Sequence, residues 1–459
     1  MGFNLLKSEI KNHYPKYPVK FRSKAANESL TLSKVIEQKV PELYDGSYYY
    51  VNPFLASGHS QTAYTALSKF ENVDLVNYRR RLITVEVETY KVPNGEELNY
   101  DHWKGESTFA IDYVVPKSYN DDTLDHEAFK PKSQINELPP RTFYLDPAKE
   151  DGLLADETKP LLIALHGLSG GSYESYIRAF LHKVTEDPYN FDALVLNARG
   201  CANHTITTPQ LFNGLWTNDL RYLINEHIRK KWPNKRIYLI GFSLGGAITA
   251  NYLAQESDDV YHNIKGAVVV GSPWDFVDSS FYLNESYLGR LVYSPTMCQN
   301  LLKLLEKFYS TNLEFHSVIE NYKENPDKYS LKYLKDFDNT FTSRLAGFNS
   351  ADEYYRHASP IQRLLKVRVP TVMLSSLDDP VIGSRTMPYS ECELNPYLAL
   401  ITTSIGGHLG YFSFSGSRWY PDPLSKLLKE LDENWKLDDV DPQNLPSKLD
   451  KIWKYDRLV

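Results

Sequence analysis

The sequence predicts an α/β protein in which helices cover both faces of a mostly parallel sheet. From residue 159 onward, short apolar segments alternate with longer amphipathic segments. Short apolar runs are typical of buried strands, and amphipathic stretches of about a dozen residues are typical of helices that connect parallel strands. The composition agrees, because 42% of the 459 residues are hydrophobic and 24% are charged, as in globular proteins with a sizeable core.

Eight apolar segments predict a sheet of eight strands. They are LITVEVETY at 82–90, FAIDYVV at 109–115, LLIAL at 161–165, ALVLNARG at 193–200, IYLIGFS at 237–243, AVVVGSP at 267–273, VPTVMLSSLDDP at 369–380 and LALITTSIGGH at 398–408. The clearest predicted helices of this alternating region are SYESYIRAFLHKV at 172–184, NDLRYLINEHIRKKW at 218–232, GAITANYLAQES at 246–257 and PLSKLLKELDENW at 423–435.

The rest of the chain predicts additions to a single domain that spans residues 1–459. Residues 1–75 are rich in tyrosine and form a predicted N-terminal extension, and the polar residues 117–158 form a predicted surface loop. Residues 276–350 are aromatic and helix-like. Because helices inserted into such a sheet often cover a binding site, we expect them to form a lid.

Composition excludes several classes of function. The net charge of −7 gives no basic footprint for nucleic acid, so no such partner is expected. The one strong basic cluster, RRR at 79–81, is predicted to lie on a solvated edge beside a strand. The three cysteines, Cys201, Cys298 and Cys392, are far apart and have neither disulfide-framework nor zinc-site spacing.

The sequence shows no signal for export or for crossing a membrane. The N-terminus lacks the apolar core of a signal peptide, and no stretch approaches about 18 uninterrupted apolar residues. We therefore expect an intracellular, cytoplasmic protein.

Two stretches have the form Gly-x-Ser-x-Gly, which is typical of a serine nucleophile on a sharp strand-to-helix turn. In GFSLGG at 241–246, Ser243 follows a buried strand segment and directly precedes a helical one. In GLSGG at 167–171, the helix begins only after two further glycines. Ser243 is therefore the predicted nucleophile, and Ser169 belongs to a supporting loop.

The supporting loop, HGLSGG at 166–171, follows the third predicted strand. In hydrolases with this order of elements, that loop supplies one backbone N–H of the oxyanion hole, and the residue after the nucleophile supplies the other. Leu168 and Leu244 are the predicted donors. His166 is expected to order the turn rather than to transfer protons.

The acid and the base follow Ser243 at the ends of later strands. His408 comes after a strand and two glycines, where it can reach Ser243 and act as general base. The acid is Asp378 or Asp379. Aligning the strand on an apolar run, a small residue (Ser376) and an acid three places later favours Asp379, which leaves Asp378 to close the loop. Such a triad requires neither a metal nor a cofactor.

Several motifs together resemble one fungal branch of the α/β-hydrolases, which contains medium-chain fatty acid ethyl ester synthase/esterases and a related monoacylglycerol lipase. The motifs are HGLSGGSYESYIRA, NARGC, GFSLGG, SPWDF at 272–276, the DDP turn, GGHLGYF at 406–412 and, upstream, GHSQTAY at 58–64. The likeness covers about residues 35–435 and is closer to the lipase through NGLWTNDLRY and RWYPDPL. The serine, acid and histidine of the branch fall on Ser243, Asp379 and His408.

The resemblance implies an α/β-hydrolase fold and a serine hydrolase of carboxylic esters with medium or long acyl chains. A monoacylglycerol lipase or fatty acyl ester esterase comes first, and an acyl-CoA:ethanol O-acyltransferase with the same triad is the alternative. The implied substrate is a small-molecule lipid ester or acyl thioester. This substrate class suggests peripheral contact with a membrane or lipid droplet. Phe281, Tyr282, Tyr287 and Leu288 either line an acyl tunnel or pack the lid onto the sheet.

Overall fold

The computed structural model describes residues 6–86, 89–91, 97–99, 106–119, 126–308, 317–438, 440 and 442–446. The strands of these residues are β1 (Lys7–His13), β2 (Lys20–Ser23), β3 (Ser29–Thr31), β4 (Tyr48–Tyr50), β5 (Asn77–Thr84), β6 (Thr89–Lys91), β7 (Glu97–Asn99), β8 (Thr108–Val115), β9 (Thr142–Tyr144), β10 (Leu161–Leu165), β11 (Asp192–Asn197), β12 (Ile237–Phe242), β13 (Ile264–Val270), β14 (Thr371–Ser376), β15 (Leu398–Thr403) and β16 (Trp435–Leu437).

The α-helices of the same residues are α1 (Leu32–Lys39), α2 (Gly58–Leu67), α3 (Glu150–Leu153), α4 (Ser175–Thr185), α5 (Asn218–Tyr222), α6 (Arg229–Lys231), α7 (Leu244–Glu256), α8 (Phe276–Glu285), α9 (Ser294–Phe308), α10 (Ser317–Glu324), α11 (Leu334–Phe337), α12 (Ser343–Leu345), α13 (Ala351–Ala358), α14 (Tyr389–Leu394) and α15 (Pro421–Asn434). Three π-helical segments occur at Leu223–Ile228, Gly289–Tyr293 and Asp338–Thr342. The first joins α5 to α6, so that the predicted helix at 218–232 is continuous.

Eleven of the described strands form one sheet in the order β4-β1-β15-β14-β13-β12-β10-β11-β8-β5-β9. The six strands from β15 to β11 are parallel, and β8 runs antiparallel to both of its neighbours. Seven of the eight predicted strands occupy the centre of this sheet as expected. The strand predicted at 82–90 is displaced, because β5 begins at Asn77 and ends at Thr84, whereas residues 89–91 belong to β6, which pairs with β7 in a separate two-stranded sheet. Three strands that the sequence did not predict extend its edges: β1 and β4 from the N-terminal region, and β9 from the segment after β8.

Both faces of the central strands are buried, as parallel strands between helices require. Along β10, Ile163 and Leu165 belong to one hydrophobic cluster, whereas Leu162 and Ala164 belong to the cluster on the other face. Side chains of a strand alternate between faces, so this near-continuous apolar run fills both cores. Helix α7 packs in the first cluster, and the paired helices α4 and α15 pack in the second.

The segment predicted to be an aromatic, helical insertion contains α8 to α12 with two of the π-helical segments. We call α8 to α12 the inserted helices. Buried side chains of α9, α10 and α11 form a third hydrophobic cluster with Cys201 and Ile206 from the loop after β11. The inserted helices are thereby anchored beside the carboxyl ends of the central strands. Among the helices described, none combines the length and apolarity needed to span a membrane.

Candidate active site

Ser243 occupies the sharp turn between β12 and α7. All six residues of β12 are buried, and the helix begins at the residue after Ser243. Its backbone has φ 52° and ψ −120°, a strained conformation for a residue other than glycine. The turn needs small neighbours, because a Cβ on Gly241 would lie 2.3 Å from the carbonyl oxygen of Gly245. The Gly-x-Ser-x-Gly pattern therefore reflects the close approach of backbone segments.

His408 lies in the loop after β15 and reaches Ser243. Its Nε2 is 2.9 Å from Oγ of Ser243, and its Nδ1 is 2.8 Å from Oδ2 of Asp379. Gly407, the residue before it, has φ 58°, and a Cβ there would lie 2.4 Å from the carbonyl oxygen of Gly58. Glycine at this position lets the loop pack tightly enough to aim the imidazole at the serine.

The two neighbouring aspartates have different partners. The buried Asp379 contacts His408 through Oδ2, while its Oδ1 accepts the N–H groups of Val381 and Ile382 at 2.8 and 3.2 Å. Both carboxylate oxygens are therefore fixed, which orients the imidazole.

Asp378 instead closes the loop that carries His408. Its Oδ1 accepts the hydroxyl of Ser376 at 2.7 Å and the N–H groups of Gly406 and Gly407, each at 2.9 Å. The structure thus brings the favoured acid to His408 and gives its neighbour the loop-closing contacts that the sequence suggested.

The HGLSGG loop lies against Ser243. A Cβ on Gly167 would be 3.3 Å from Cβ of Ser243, and Leu168 lines the same cavity as Ser243 and Leu244. The hydroxyl of Tyr176 accepts the N–H of Gly167 at 2.9 Å. The loop is therefore held at its first glycine, directly beside the turn that carries Ser243.

His166 orders this loop. Its Nε2 accepts the N–H of Ala198 at 3.0 Å, so the proton is on Nδ1, which donates to the carbonyl oxygen of Gly167 at 2.7 Å. Burial lowers the pKa of His166 to about 4, which keeps the imidazole neutral near pH 7. It therefore acts as a fixed hydrogen-bonding link.

A buried polar network that the sequence analysis did not predict holds the HGLSGG loop on the sheet. Asp112 on β8 accepts two hydrogen bonds from the guanidinium of Arg80 on β5, both at 2.7 Å. The same carboxylate accepts the hydroxyl of Ser172 at 2.5 Å and the amide of Asn197 on β11 at 2.8 Å. Because Ser172 follows directly after the HGLSGG loop, the network ties this loop to three strands.

The RRR cluster was therefore wrongly interpreted as a solvated edge. Strand β5 runs from Asn77 to Thr84, so the arginines lie within it rather than beside it. Arg79 and Arg80 are buried, and Arg81 forms a partly exposed ion pair with Glu150. The signal that could have revealed this is the single aspartate in FAIDYVV, because a buried carboxylate on a central strand is usually paired with a cation.

The GHSQT motif also has a structural role that sequence reasoning did not assign. It begins α2, where Oγ1 of Thr62 accepts the N–H of His408 at 2.8 Å and donates to the carbonyl oxygen of Gly58 at 2.7 Å. On the same helix, Gln61 accepts the N–H of Phe412 at 2.6 Å. Helix α2 thus fixes the loop before and after the histidine.

An apolar cavity opens beside Ser243. The cavity and its open mouth together enclose about 1060 Å³ of space between atoms. Its apolar lining comes largely from α8, α9 and α11, including Phe276, Leu283, Leu304 and Phe337. The inserted helices therefore form the walls of the cavity, and the turn that carries Ser243 forms its floor.

The four side chains singled out for an acyl tunnel are not among the residues lining this cavity. Phe281 and Tyr287 are 54% and 78% exposed, and Tyr282 contacts Gly383 instead. On α8, the lining residues recur at 276, 279, 280 and 283, the spacing of one helix face, whereas Phe281 is on the opposite face. A helical register read from the sequence alone did not show which face turns inward.

Comparison with known proteins identifies the family of this chain and two of its relatives. The family model described as the alpha/beta hydrolase fold matches residues 160–414. A monoacylglycerol lipase of Saccharomyces cerevisiae is 38% identical over 431 residues, which are 92% of this chain and 90% of the relative. The medium-chain fatty acid ethyl ester synthase/esterase 2 of the same yeast is 30% identical over 438 residues, 90% of this chain and 93% of the relative.

Among solved structures, an esterase of Pyrococcus furiosus aligns with 76% of this chain and 92% of its own, with a TM-score of 0.40 and 11% identity. Within the described residues, no group of three or more His, Cys, Asp or Glu side chains is placed to hold a metal ion.

Proposed function

This chain belongs to the α/β-hydrolase family and is a serine hydrolase of carboxylic esters, and we propose that its substrates are monoacylglycerols and related esters of medium or long acyl chains. The observation that carries the proposal is the hydrogen-bonded chain from Ser243 through His408 to Asp379 at an apolar cavity. The likeness to a monoacylglycerol lipase along nearly the full length of both chains supports the choice of alcohol.

In this proposal the three residues act as a catalytic triad. Oγ of Ser243 attacks the ester carbonyl while Nε2 of His408 takes its proton, and the resulting imidazolium then protonates the departing glycerol oxygen. Asp379 holds the proton of the neutral imidazole on Nδ1 and stabilises the imidazolium. Water then attacks the acyl-enzyme by the same route and releases the fatty acid.

The proposed oxyanion donors are the backbone N–H groups of Leu168 and Leu244. Leu244 is the first residue of α7, where a helix has no partner for its N–H and where its dipole favours negative charge. Leu168 adjoins Gly167, whose position beside Ser243 is fixed by Tyr176 and His166. Donors held in place before the reaction stabilise the developing charge without reorganisation.

Hydrolysis is proposed ahead of acyl transfer to ethanol. The relative with the higher identity is named a lipase, and the relative named a synthase is itself also named an esterase. The triad geometry serves both reactions, so the choice rests on this likeness.

We also propose that the protein makes peripheral contact with a lipid surface. Phe281 lies on α8, Tyr287 follows this helix, and Leu291 and Val292 lie in the π-helical segment Gly289–Tyr293. The four residues are close together in the chain, and each is at least 47% exposed. Exposed apolar side chains grouped in this way favour contact with a lipid interface. They lie on or between α8 and α9, which both line the cavity, so this contact would bring the substrate near the cavity.

Product analysis with purified protein tests the function. We expect fatty acid release from a monoacylglycerol to exceed ethyl ester formation from an acyl-CoA and ethanol, and Ser243→Ala to abolish both activities and labelling by a fluorophosphonate. Ser415→Ala, in an exposed loop, is the matched control and should keep both. Ethyl ester formation above hydrolysis would reverse the order of the two reactions, and full activity of Ser243→Ala would overturn the mechanism.

A further inference from the structure

A carboxyl group lies in the wall of the otherwise largely apolar cavity. Asp338, the first residue of the π-helical segment after α11, lines the same cavity as Ser243 and is only 8% exposed. Its Oδ1 accepts the hydroxyl of Thr342 at 2.6 Å, and its Oδ2 accepts the hydroxyl of Tyr355 at 2.7 Å. Each carboxylate oxygen therefore keeps one lone pair beyond these contacts.

This carboxyl group is not part of an ion pair. In the described part of the chain, no Lys, Arg or His side chain lies within 4.0 Å of it, and its two partners are neutral hydroxyls. Burial raises the pKa of Asp338 to about 6. Buried carboxyl groups are usually paired with cations, and Asp338 is the one acidic residue among the described residues that line the cavity.

We infer that Asp338 makes the cavity selective for acyl chains that carry a hydroxyl group, which donates a hydrogen bond to a remaining lone pair of the carboxyl group. The inference rests on the proposed function, in which this cavity holds the acyl chain of the ester. It assigns to Asp338 a role in substrate specificity that is separate from the chemistry at Ser243.

The physical reason is the cost of desolvation. An unsubstituted alkyl chain that fills the cavity removes water from the carboxyl group and replaces no hydrogen bond, which is unfavourable for a polar group and more so for an ionised one. A hydroxyl on the chain restores the bond. Sites built to hydrogen-bond a substrate hydroxyl discriminate strongly against the analogue that lacks it.

The position of the group in the fold supports contact with substrate. Thr342 and Tyr355 also line the cavity, so all three residues of this hydrogen-bonded group border the same space. They come from the π-helical segment and from α13, and π-helical turns within helices occur frequently at functional sites.

The test compares kcat/KM for glycerol monoesters of stearic acid with those of monohydroxystearic acids whose hydroxyl is placed at different points along the chain. We expect at least one hydroxy isomer to be preferred by about tenfold or more, since a hydrogen bond to a charged group has about this value. Asp338→Leu should abolish the preference. Asp338→Asn, which keeps the shape of the side chain, should reduce it and serves if the leucine variant does not fold.

A cavity variant and a binding measurement complete the design. Leu345→Ala changes the lining of the same cavity and leaves the carboxyl group in place. It should change kcat/KM for the stearoyl and the hydroxystearoyl esters by the same factor. In the Ser243→Ala background, the preferred hydroxystearic acid should bind more tightly than stearic acid by calorimetry. Hydrolysis of stearoyl glycerol with no preference for any isomer, or a preference that survives Asp338→Leu, would overturn this inference alone. Release of no fatty acid from any ester would overturn the proposed function as well.

Discussion

The neighbouring residues Asp378 and Asp379 show how position within a loop separates two identical side chains. Asp379 has one oxygen on His408 and the other on the N–H groups of Val381 and Ile382. Asp378 has a single oxygen on the loop that carries the histidine. The chemistry of each carboxylate is thus set by which backbone N–H groups it faces.

This difference predicts the effect of replacing each acid by its amide. In Asp379→Asn, the amide oxygen is expected to stay with the two backbone N–H groups, so that its NH₂ faces Nδ1 of His408. The imidazole proton must then move to Nε2, which can no longer accept the proton of Ser243. We expect kcat to fall by about 10⁴-fold with little change in the thermal midpoint, as a wrong tautomer does in serine proteases.

Asp378→Asn is the matched variant. Its Oδ1 can keep all three hydrogen bonds, so kcat should stay within about tenfold of wild type. Steady-state kinetics and thermal denaturation of both proteins check the comparison. If Asp378→Asn lost more activity than Asp379→Asn, the proposed roles of the two residues would be reversed.

At the scale of single residues, the sequence indicated the proposed nucleophile and the proposed base more readily than the residues that hold them in place. Ser243 and His408 follow apolar strands and glycines, which are local signals. Arg80 and Asp112 are 32 positions apart, and their pairing depends on the register of two antiparallel strands. No local pattern contains that register, which is why the arginines were expected in solvent.

Among the elements, the ten-residue helix α2 positions two loops of the candidate active site. The hydroxyl of Thr62 accepts the N–H of His408, and Gly58 packs so closely that a Cβ there would overlap the backbone of Asp378. The helix therefore braces the loops of both the base and the acid. Because α2 precedes the first central strand of the sheet, the bracing element is distant in sequence from the groups it positions.

Thr62→Val should therefore impair catalysis without contact between the residue and substrate. The substitution keeps the shape of the side chain but leaves the N–H of His408 unpaired, which costs about 1–3 kcal/mol for a buried group. If His408 shifts to relieve this cost, kcat falls by about tenfold to a hundredfold while KM changes little. Thr62→Ser should restore most of the activity.

Thr65→Val provides the control on the same helix, because Thr65 donates only to Gln61 one turn away in the described contacts. Each valine variant loses one threonine hydroxyl from α2, but only the hydroxyl of Thr62 contacts His408. Equal losses of kcat in both would show that α2 acts through general stability and not through the position of His408.

The predictability of the elements follows their length and burial. The central strands were recognisable because β10, β12, β14 and β15 are buried along their whole length. The added edge strands were not. Strand β1 reads KSEIKNH, with Ile10 as its only apolar residue, and β4 and β9 have three residues each, too few for a periodic pattern. Their pairing depends on the sheet edges that the rest of the fold provides.

For the molecule as a whole, buried ionisable groups couple stability to pH. His204 lies in the loop after β11 and packs against β8, so that its Nδ1 accepts the N–H of Gly200 at 3.3 Å and its Nε2 donates to Thr108 at 3.2 Å. Burial, followed by the charges of Arg80 and Arg199, lowers its pKa to about 3. The folded protein therefore holds this imidazole neutral where an unfolded chain would bind a proton.

The direction in which each group changes stability with pH follows from proton linkage. His204 has a lower pKa when folded than its ordinary 6.5, so its contribution to stability is complete above about pH 6.5 and is lost as pH falls toward 3. His166 acts in the same sense down to about pH 4. Asp338 and Glu174 oppose it, because burial raises their pKa values to about 6 and 7, and their contributions are lost as pH rises.

Because the contributions of these groups to stability partly cancel, the effect of His204 is seen most clearly as a difference in the free energy of unfolding between the wild type and a variant. His204→Asn places an amide oxygen near the position of Nδ1 and removes the titration, so the variant should be less stable than wild type at pH 7. Between pH 6.5 and pH 4 the difference in the free energy of unfolding should narrow by up to about 1.4 kcal/mol per pH unit. Only the wild type loses stability in this way, because its unfolded chain binds a proton at residue 204 that its folded state excludes. Urea denaturation of both proteins across this range measures the gap. Parallel stability curves would show that His204 takes up a proton equally in the folded and the unfolded protein, and that burial and the neighbouring arginines do not hold it neutral.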